Sequence, residues 1–360
     1  MENILVRTPN WIGDQILAYP FFYGLRKKYP KAKITAVCLE WVKDIQFLNC
    51  VDDVYTLPLS RKQSFFERLK WIDFSAKELK QKKKWDLGIA LPNSISSAWL
   101  LYRAGVKSRR GYGAEGRSIL LNDTVDWKRG SLLHRSQAYF NLIPHSETLS
   151  FASQNFWPRL PDSELDSKID GELDAFDVQK EWPSTIALEP PQVPYYVIAP
   201  GSQAVSRTWP VEYFADFAAL MTEKTSLVGV IVGGPKETSI ASRLMEDKRS
   251  NLLDYTAKGN VSSLWKIFKN AKWTLCNESG LAHVAALCGS PVQIVCGAAD
   301  PRRTRPLGPA SVMVKVNPLS CWPCEKNICY RPAHETIACL KGILPQTIYD
   351  EISANLIHSS

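Results

Sequence analysis

A chain of 360 residues, 45% of them hydrophobic and 22% charged, has material for two globular cores, which excludes a disordered or low-complexity protein. No apolar run approaches the roughly 18 residues of a spanning helix, and Arg7 interrupts the first apolar stretch, so neither a membrane span nor a secretory signal is expected and a cytoplasmic chain is. The net charge of +8 favours an acidic partner, either an anionic lipid surface or a phosphorylated substrate; nucleic acid is not expected, because the basic residues follow no recognised binding module.

In chain order, ILVR (4–7), KITAVCL (33–39), VYTLP (54–58) and DLGIALP (86–92) predict strands. Helical spacing runs from Gln15 to Tyr29 and from Phe65 to Lys83. Residues 77–84, KELKQKKK, are the densest basic run. They are either a solvated helix face or a membrane-attracted one, at about 1 kcal/mol per lysine near the headgroups. The stretch 181–196 then holds four prolines and predicts a stiff connector. Beyond it, YYVIAP (195–200), LVGVIVGG (227–234), WTLCN (273–277) and PVQIVCG (291–297) predict strands. Val211 to Thr222, Val261 to Asn270 and Leu281 to Cys288 predict helices, with Pro210 as a first helical residue. Alternating strands and helices imply an α/β protein with parallel sheets. The expected organisation is two doubly wound domains, 1–182 and 195–344, joined by a linker at 183–194. A C-terminal helix over 345–360 could pack back on the N-terminal domain.

Such sheets bind ligands in the loops that follow their strands, and three of these loops carry chemistry. The first is PNWIGD (9–14), where Gly13 permits a tight turn and Asp14 opens a helix. Asp14 is either a helix cap or a general base able to take a proton from a hydroxyl. No Gly-x-Gly-x-x-Gly follows this strand, so a dinucleotide site is not expected here. The second loop is PGSQAVSRTWP (200–210), whose backbone amides, hydroxyls and Arg207 suit a diphosphate. A polar loop with a capping Thr208 is the alternative. The third is NESGLAH (277–283), where Gly280 lets a ligand approach free first-turn amides and His283 sits within that turn. Together the loops set a carboxylate in one domain against an anion cradle in the other. That suits transfer from a nucleotide diphosphate donor to a hydroxyl. The chain has no Asp-x-Asp triplet with which to hold a divalent ion.

In order and spacing, NWIGDQIL, PGSQAVSRTWP and NESGLAHVAALCGSP followed by VQIVCG resemble the ADP-heptose:lipopolysaccharide heptosyltransferases, glycosyltransferase family 9. The resemblance covers nearly the whole chain and implies a GT-B fold, two Rossmann-like domains facing across a cleft. It implies an inverting transfer that requires no metal cofactor, with Asp14 as the catalytic base. The donor, ADP-heptose, would contact Ser202, Gln203, Arg207, Glu278, Ser279, Gly280, Leu281 and His283. Two departures bear on donor preference: Glu278 stands where the family usually has Asp, and Gln203 where some members have a hydroxyl residue. The acceptor would be a lipid-linked saccharide met at the cytoplasmic membrane surface, with Asn10, Trp11, Gly13, Arg109, Arg110 and Arg117 as candidate contacts. Acceptor specificity is expected in Leu59 to Arg68 and Gly111 to Leu121.

Of nine cysteines, Cys38, Cys276, Cys288 and Cys296 lie in apolar stretches and read as core. Cys321, Cys324, Cys329 and Cys339 cluster with spacings that leave a structural zinc, an iron–sulfur cluster, a disulfide and reduced thiols open. Two other functions compete: an epimerase or hydrolase of nucleotide sugars on the same fold, and a non-catalytic membrane-surface binder.

Overall fold

The computed structural model describes residues 1–58, 64–127, 133–145, 176–182 and 186–357. They form two compact units, one holding residues 1–58, 64–127, 133–145 and 177–182, the other Phe176 and residues 186–357.

The first unit has a six-stranded parallel sheet built from β1 (Asn3–Arg7), β2 (Lys33–Leu39), β3 (Asp53–Leu57), β4 (Leu87–Ala90), β5 (Ser108–Tyr112) and β6 (Asp123–Val125), in the order β3-β2-β1-β4-β5-β6. Ile4, Leu5 and Val6 are fully buried because β1 is covered on both faces. The expected helix from Gln15 to Tyr29 is two helices, α1 (Ile12–Leu17) and α2 (Tyr19–Lys28). Pro20 lacks the N–H needed to continue α1 and is accepted in the first turn of α2. α3 (Phe65–Lys82) starts at a capping box in which Ser64 accepts from the Glu67 amide and Glu67 accepts from the Ser64 amide. α4 (Ile95–Arg103) follows β4, and α5 (Arg135–Phe140) packs on α1 and α2.

The second unit repeats the order. Its strands are β7 (Tyr195–Ala199), β8 (Val228–Ile231), β9 (Leu252–Asp254), β10 (Thr274–Asn277), β11 (Val292–Cys296) and β12 (Val312–Val316), arranged β12-β11-β10-β7-β8-β9, all parallel. Its helices include α6 (Val211–Lys224) and α7 (Gly280–Leu287). Pro210 is the cap before α6 rather than its first residue. The last helix, α8 (Pro345–Ile357), lies against α6 and buries Ile348 and Ile352 in this unit's core with Trp209, Phe214 and Phe217.

In each sheet the chain reverses its winding direction between the central strands, β1 and β4 or β7 and β10. Doubly wound sheets present their ligand crevice at this position. Among the described residues, no helix is long and apolar enough to cross a membrane.

Candidate active site: two loop systems at the sheet switch points

In the first unit, the switch point opens into a pocket of about 270 Å³ lined by Asn10, Trp11 and Asp14 after β1, Asn93 and Ser94 after β4, and Tyr112, Trp127, Arg135 and Tyr139. The loop after β1 is pinned from below. Arg7 is 5% exposed, and its guanidinium donates to the carbonyls of Thr8 and Val37 and to the Asn10 side chain. Burial lowers its pKa to about 10, so it stays charged. The Trp41 indole donates to the Asn10 carbonyl at 2.6 Å. Asn10 therefore holds the loop as well as lining the pocket.

Trp11 is the N-cap of α1, so Asp14 is not the cap. Asp14 lies in the first turn, where the unsatisfied amides of the helix favour a negative side chain. Its carboxylate faces Arg135 at 3.7 Å and accepts a hydrogen bond from the Tyr139 hydroxyl. Arg135 and Tyr139 are four residues apart on α5, hence on one helical face. The result is a partly exposed acid with two donors behind it and aromatic walls formed by Trp11, Tyr112 and Trp127. Tyr112 and Trp127 meet edge to face at 4.9 Å, and the Tyr112 hydroxyl is tied to the Ala138 carbonyl at 2.6 Å. Neither Arg135 nor Tyr139 is signalled by a motif; only the spacing on one short helix could have singled them out.

The other acceptor candidates fall elsewhere. Gly13 is helical and does not line the pocket. The three arginines serve the fold: Arg109 donates to the carbonyls of Leu120 and Val106, Arg110 to the Leu142 carbonyl and Asp123, and buried Arg117 to the Tyr112 carbonyl and Glu115. Strand β5 starts at Ser108, next to the edge strand, and its half-buried polar side chains must find partners; these bonds supply them. Of the two expected specificity segments, residues 59–63 lie outside the described residues. Gly111 to Leu121 spans the end of β5 and a short turn over Arg117–Ile119.

In the second unit, Asn277 joins the two switch-point loops. It is fully buried at the end of β10; its amide donates to the Pro200 carbonyl at 2.6 Å, and its oxygen accepts from the Trp209 amide at 2.9 Å. Trp209 is anchored in turn by its indole on the Ile343 carbonyl at 2.9 Å and by an edge-to-face contact with Phe214 at 4.9 Å. Between these fixed points runs the loop bearing Ser202, Gln203 and Arg207. Its floor comes from the loop after β11: the Ala298 amide donates to the Ser206 carbonyl at 3.2 Å, and a Cβ on Gly297 would stand 2.4 Å from that oxygen. Only glycine permits this approach.

Arg207 and Glu278 form an ion pair at 3.0 Å, with side chains 30% and 11% exposed. Ser279 caps α7 through its extended backbone, and Gly280, Leu281 and His283 lie in the first turn. Three buried polar atoms of this loop system, Arg207 Nε, Ser279 Oγ and His283 Nδ1, have no hydrogen-bond partner among the described residues. Orphaned polar atoms are costly, so each of the three is a candidate partner for a polar ligand. His283 is 4% exposed and burial lowers its pKa to about 4, so it is neutral near pH 7 and cannot meet an anion as a cation.

The late cysteines adjoin this unit's loops. The Glu325 amide donates to the Ala298 carbonyl at 2.8 Å, and the Ile337 amide to Cys329 Sγ at 3.4 Å. Cys321, Cys324, Cys329 and Cys339 are free thiols. Among the described residues, no group of three or more His, Cys, Asp or Glu side chains is arranged to hold a metal. Cys38, Cys276, Cys288 and Cys296 are buried, as core residues would be.

Three comparisons bear on this geometry. Lipooligosaccharide heptosyltransferase 2 of Haemophilus influenzae is 24% identical over 322 residues, covering 87% of this chain and 88% of that protein. The structure of Escherichia coli ADP-heptose lps heptosyltransferase II superposes with a TM-score of 0.72 at 22% identity, over 100% of this chain and 99% of the other. Escherichia coli heptosyltransferase WaaC with ADP superposes with a TM-score of 0.70 at 18% identity, over 98% and 99%. The shared architecture is GT-B, built from two Rossmann-like domains. Residues 75–333 match the family model for glycosyltransferase family 9 (heptosyltransferase), and the chain, a glycosyltransferase, belongs to that family.

Proposed function

We propose that this protein transfers heptose from ADP-heptose to a hydroxyl of the inner core of lipopolysaccharide, by a single inverting displacement that needs no metal. The observation that carries the reading is the opposed chemistry of the two switch points. One presents a carboxylate with room beside it; the other presents a guanidinium, a helix start and unsatisfied buried polar atoms. The related proteins of known structure include one named for ADP-heptose and one solved with ADP.

In this mechanism the acceptor sugar lies against the aromatic walls of the first pocket. Asp14 takes the proton from its hydroxyl as the oxygen attacks the anomeric carbon. The bond to the diphosphate breaks on the opposite side, which inverts the configuration. Arg135 and Tyr139 hold the carboxylate in place. Arg207, the Ser279 hydroxyl and the first-turn amides of α7 receive the charge that develops on the leaving diphosphate. To do so Arg207 exchanges Glu278 for phosphate, and Glu278 accepts from a ribose hydroxyl. Ser202, Gln203 and Leu281 shape the same cradle, and neutral His283 serves as a hydrogen-bonding wall. Acceptor contacts come from Asn10, Trp11 and the pocket residues, not from Arg109, Arg110 or Arg117. The lipid-linked acceptor places the enzyme at the cytoplasmic face of a membrane.

The test is to incubate the purified chain with ADP-heptose, with and without a heptose-deficient inner-core acceptor, and follow ADP release and product. Release that depends on acceptor, with an inverted linkage, is expected. Equal release without acceptor would indicate a hydrolase instead.

A further inference from the structure

Helix α3 shows an arrangement that its role in the fold does not require. Its inward stripe is Ile72, Ser75, Ala76 and Leu79, each at most 4% exposed. The opposite stripe, at helical spacing, is Phe66, Lys70, Phe74, Lys77 and Gln81, all exposed. Phe66 is 75% exposed and Phe74 51%, and Trp71, 41% exposed, meets Phe74 edge to face at 5.7 Å. Between residues 64 and 84 the chain has seven basic and three acidic residues. All three acids are engaged locally: Glu67 in the capping box, Asp73 with Arg103 and Lys77, and Glu78 with the Tyr55 hydroxyl. Lys70, Lys80 and Lys84 form no ion pair among the described residues.

We infer that the outer face of α3 is a membrane-docking surface, in which Phe66, Trp71 and Phe74 enter the headgroup–acyl boundary of an anionic bilayer while the flanking lysines pair with lipid phosphates. The alternation of ring and ammonium on one stripe decides the occupant. A protein partner's interface core excludes lysine, whereas a bilayer lets the ammonium reach the phosphates above the buried rings. The location also fits. A helix joining parallel strands runs against them, so the Phe66 end of α3 lies at the same end of the sheet as the loops after β1 and β4 that line the Asp14 pocket. Arg68, in the first turn, is close enough to Arg7 for their charges to repel. A lipid-linked acceptor held in that membrane would thus be presented to the pocket edge; this last point rests on the proposed function, but the docking itself does not.

The experiment is co-sedimentation of the full chain, without donor or acceptor, with vesicles of phosphatidylcholine alone or mixed with phosphatidylglycerol. The wild type is expected to partition into the mixed vesicles and to retain part of that binding in high salt through the rings. Phe66→Ser, Trp71→Ser and Phe74→Ser combined should lower partitioning about tenfold or more, with an unchanged circular dichroism spectrum. Lys70→Gln, Lys80→Gln and Lys84→Gln should each lower it about fivefold at low salt; they decide the matter alone if the aromatic triple variant does not fold. Turnover on a delipidated acceptor should be unaffected, and turnover on a vesicle-embedded one reduced. Wild-type partitioning in either set of variants, or no preference for anionic vesicles, overturns the inference. So does a concentration-dependent dimer abolished by the aromatic changes, which would assign the face to a second copy. A chain that docks but transfers no heptose would leave the surface intact and refute only the proposed reaction.

Discussion

The two units share a strand order and a switch point, yet they build opposite chemistry there. In the first, the site is an open pocket whose acid is held from one side by a short helix, through Arg135 and Tyr139. In the second, the site is a set of loops stitched together by a buried amide, Asn277, and closed over an ion pair, Arg207 with Glu278. Under the proposed function, one topology fixes where a ligand sits, while a few side chains at loop starts fix which charge it meets.

The comparison can be broken most severely at Asp14. Asp14→Asn should lower turnover about 10²- to 10⁴-fold, the range for loss of a general base. Its melting temperature should stay near that of the wild type, because the α1 cap belongs to Trp11. Turnover near the wild type, measured by ADP release, would remove the acid from the mechanism. Next comes Asn277→Ala, which leaves the Trp209 amide and the Pro200 carbonyl unpaired. Each orphaned buried group costs about 1–3 kcal/mol, so urea unfolding should show a loss of about 2–6 kcal/mol together with weaker donor binding. Loss of stability with unchanged donor affinity would mean that the two loops need no stitch.

The units also differ in how they titrate. His283, pushed down to about 4 by burial, binds its proton more weakly in the folded state than in the unfolded. Its contribution is fully present above pH 6.5 and is lost as pH falls toward 4, by on the order of 3 kcal/mol. Buried Glu181, raised to about 7 in the first unit, works in the opposite sense: it favours the folded state at low pH and disfavours it as pH rises from 4.5 to 7. Melting curves of His283→Gln should therefore lose the acid decline of the wild type and expose the Glu181 slope. An unchanged pH profile would mean that the imidazole is not held neutral. The smallest expected effect is Tyr139→Phe. Removing a donor to the carboxylate should move the acid limb of the rate profile to higher pH, with turnover above that limb little changed. An unshifted limb would leave Tyr139 a packing residue.

Much of this was legible in the sequence where burial is two-sided. Apolar runs such as ILVR, YYVIAP and WTLCN marked the central strands, and the loops after them carried Asp14, Arg207 and Glu278. The strands that escaped notice are at or near sheet edges. SRRGY over 108–112 and VMVKV over 312–316 are half-buried, and the three-residue β6 and β9 are too short to show a period. Arg109, Arg110 and Arg117 looked like acceptor ligands because a sequence shows charge but not the carbonyls that absorb it. Arg135 and Tyr139 were invisible because their meaning lies in a contact with a residue more than a hundred positions away.

The division of labour between the two units is tested most directly by calorimetric titration of ADP into the wild type, Asp14→Asn and Arg207→Ala, each first shown to be folded. The account predicts that Asp14→Asn binds ADP as the wild type does and that Arg207→Ala binds about tenfold or more weakly, as expected for loss of a charge-assisted contact to phosphate. Equal affinity for all three proteins, or a loss confined to Asp14→Asn, would contradict it.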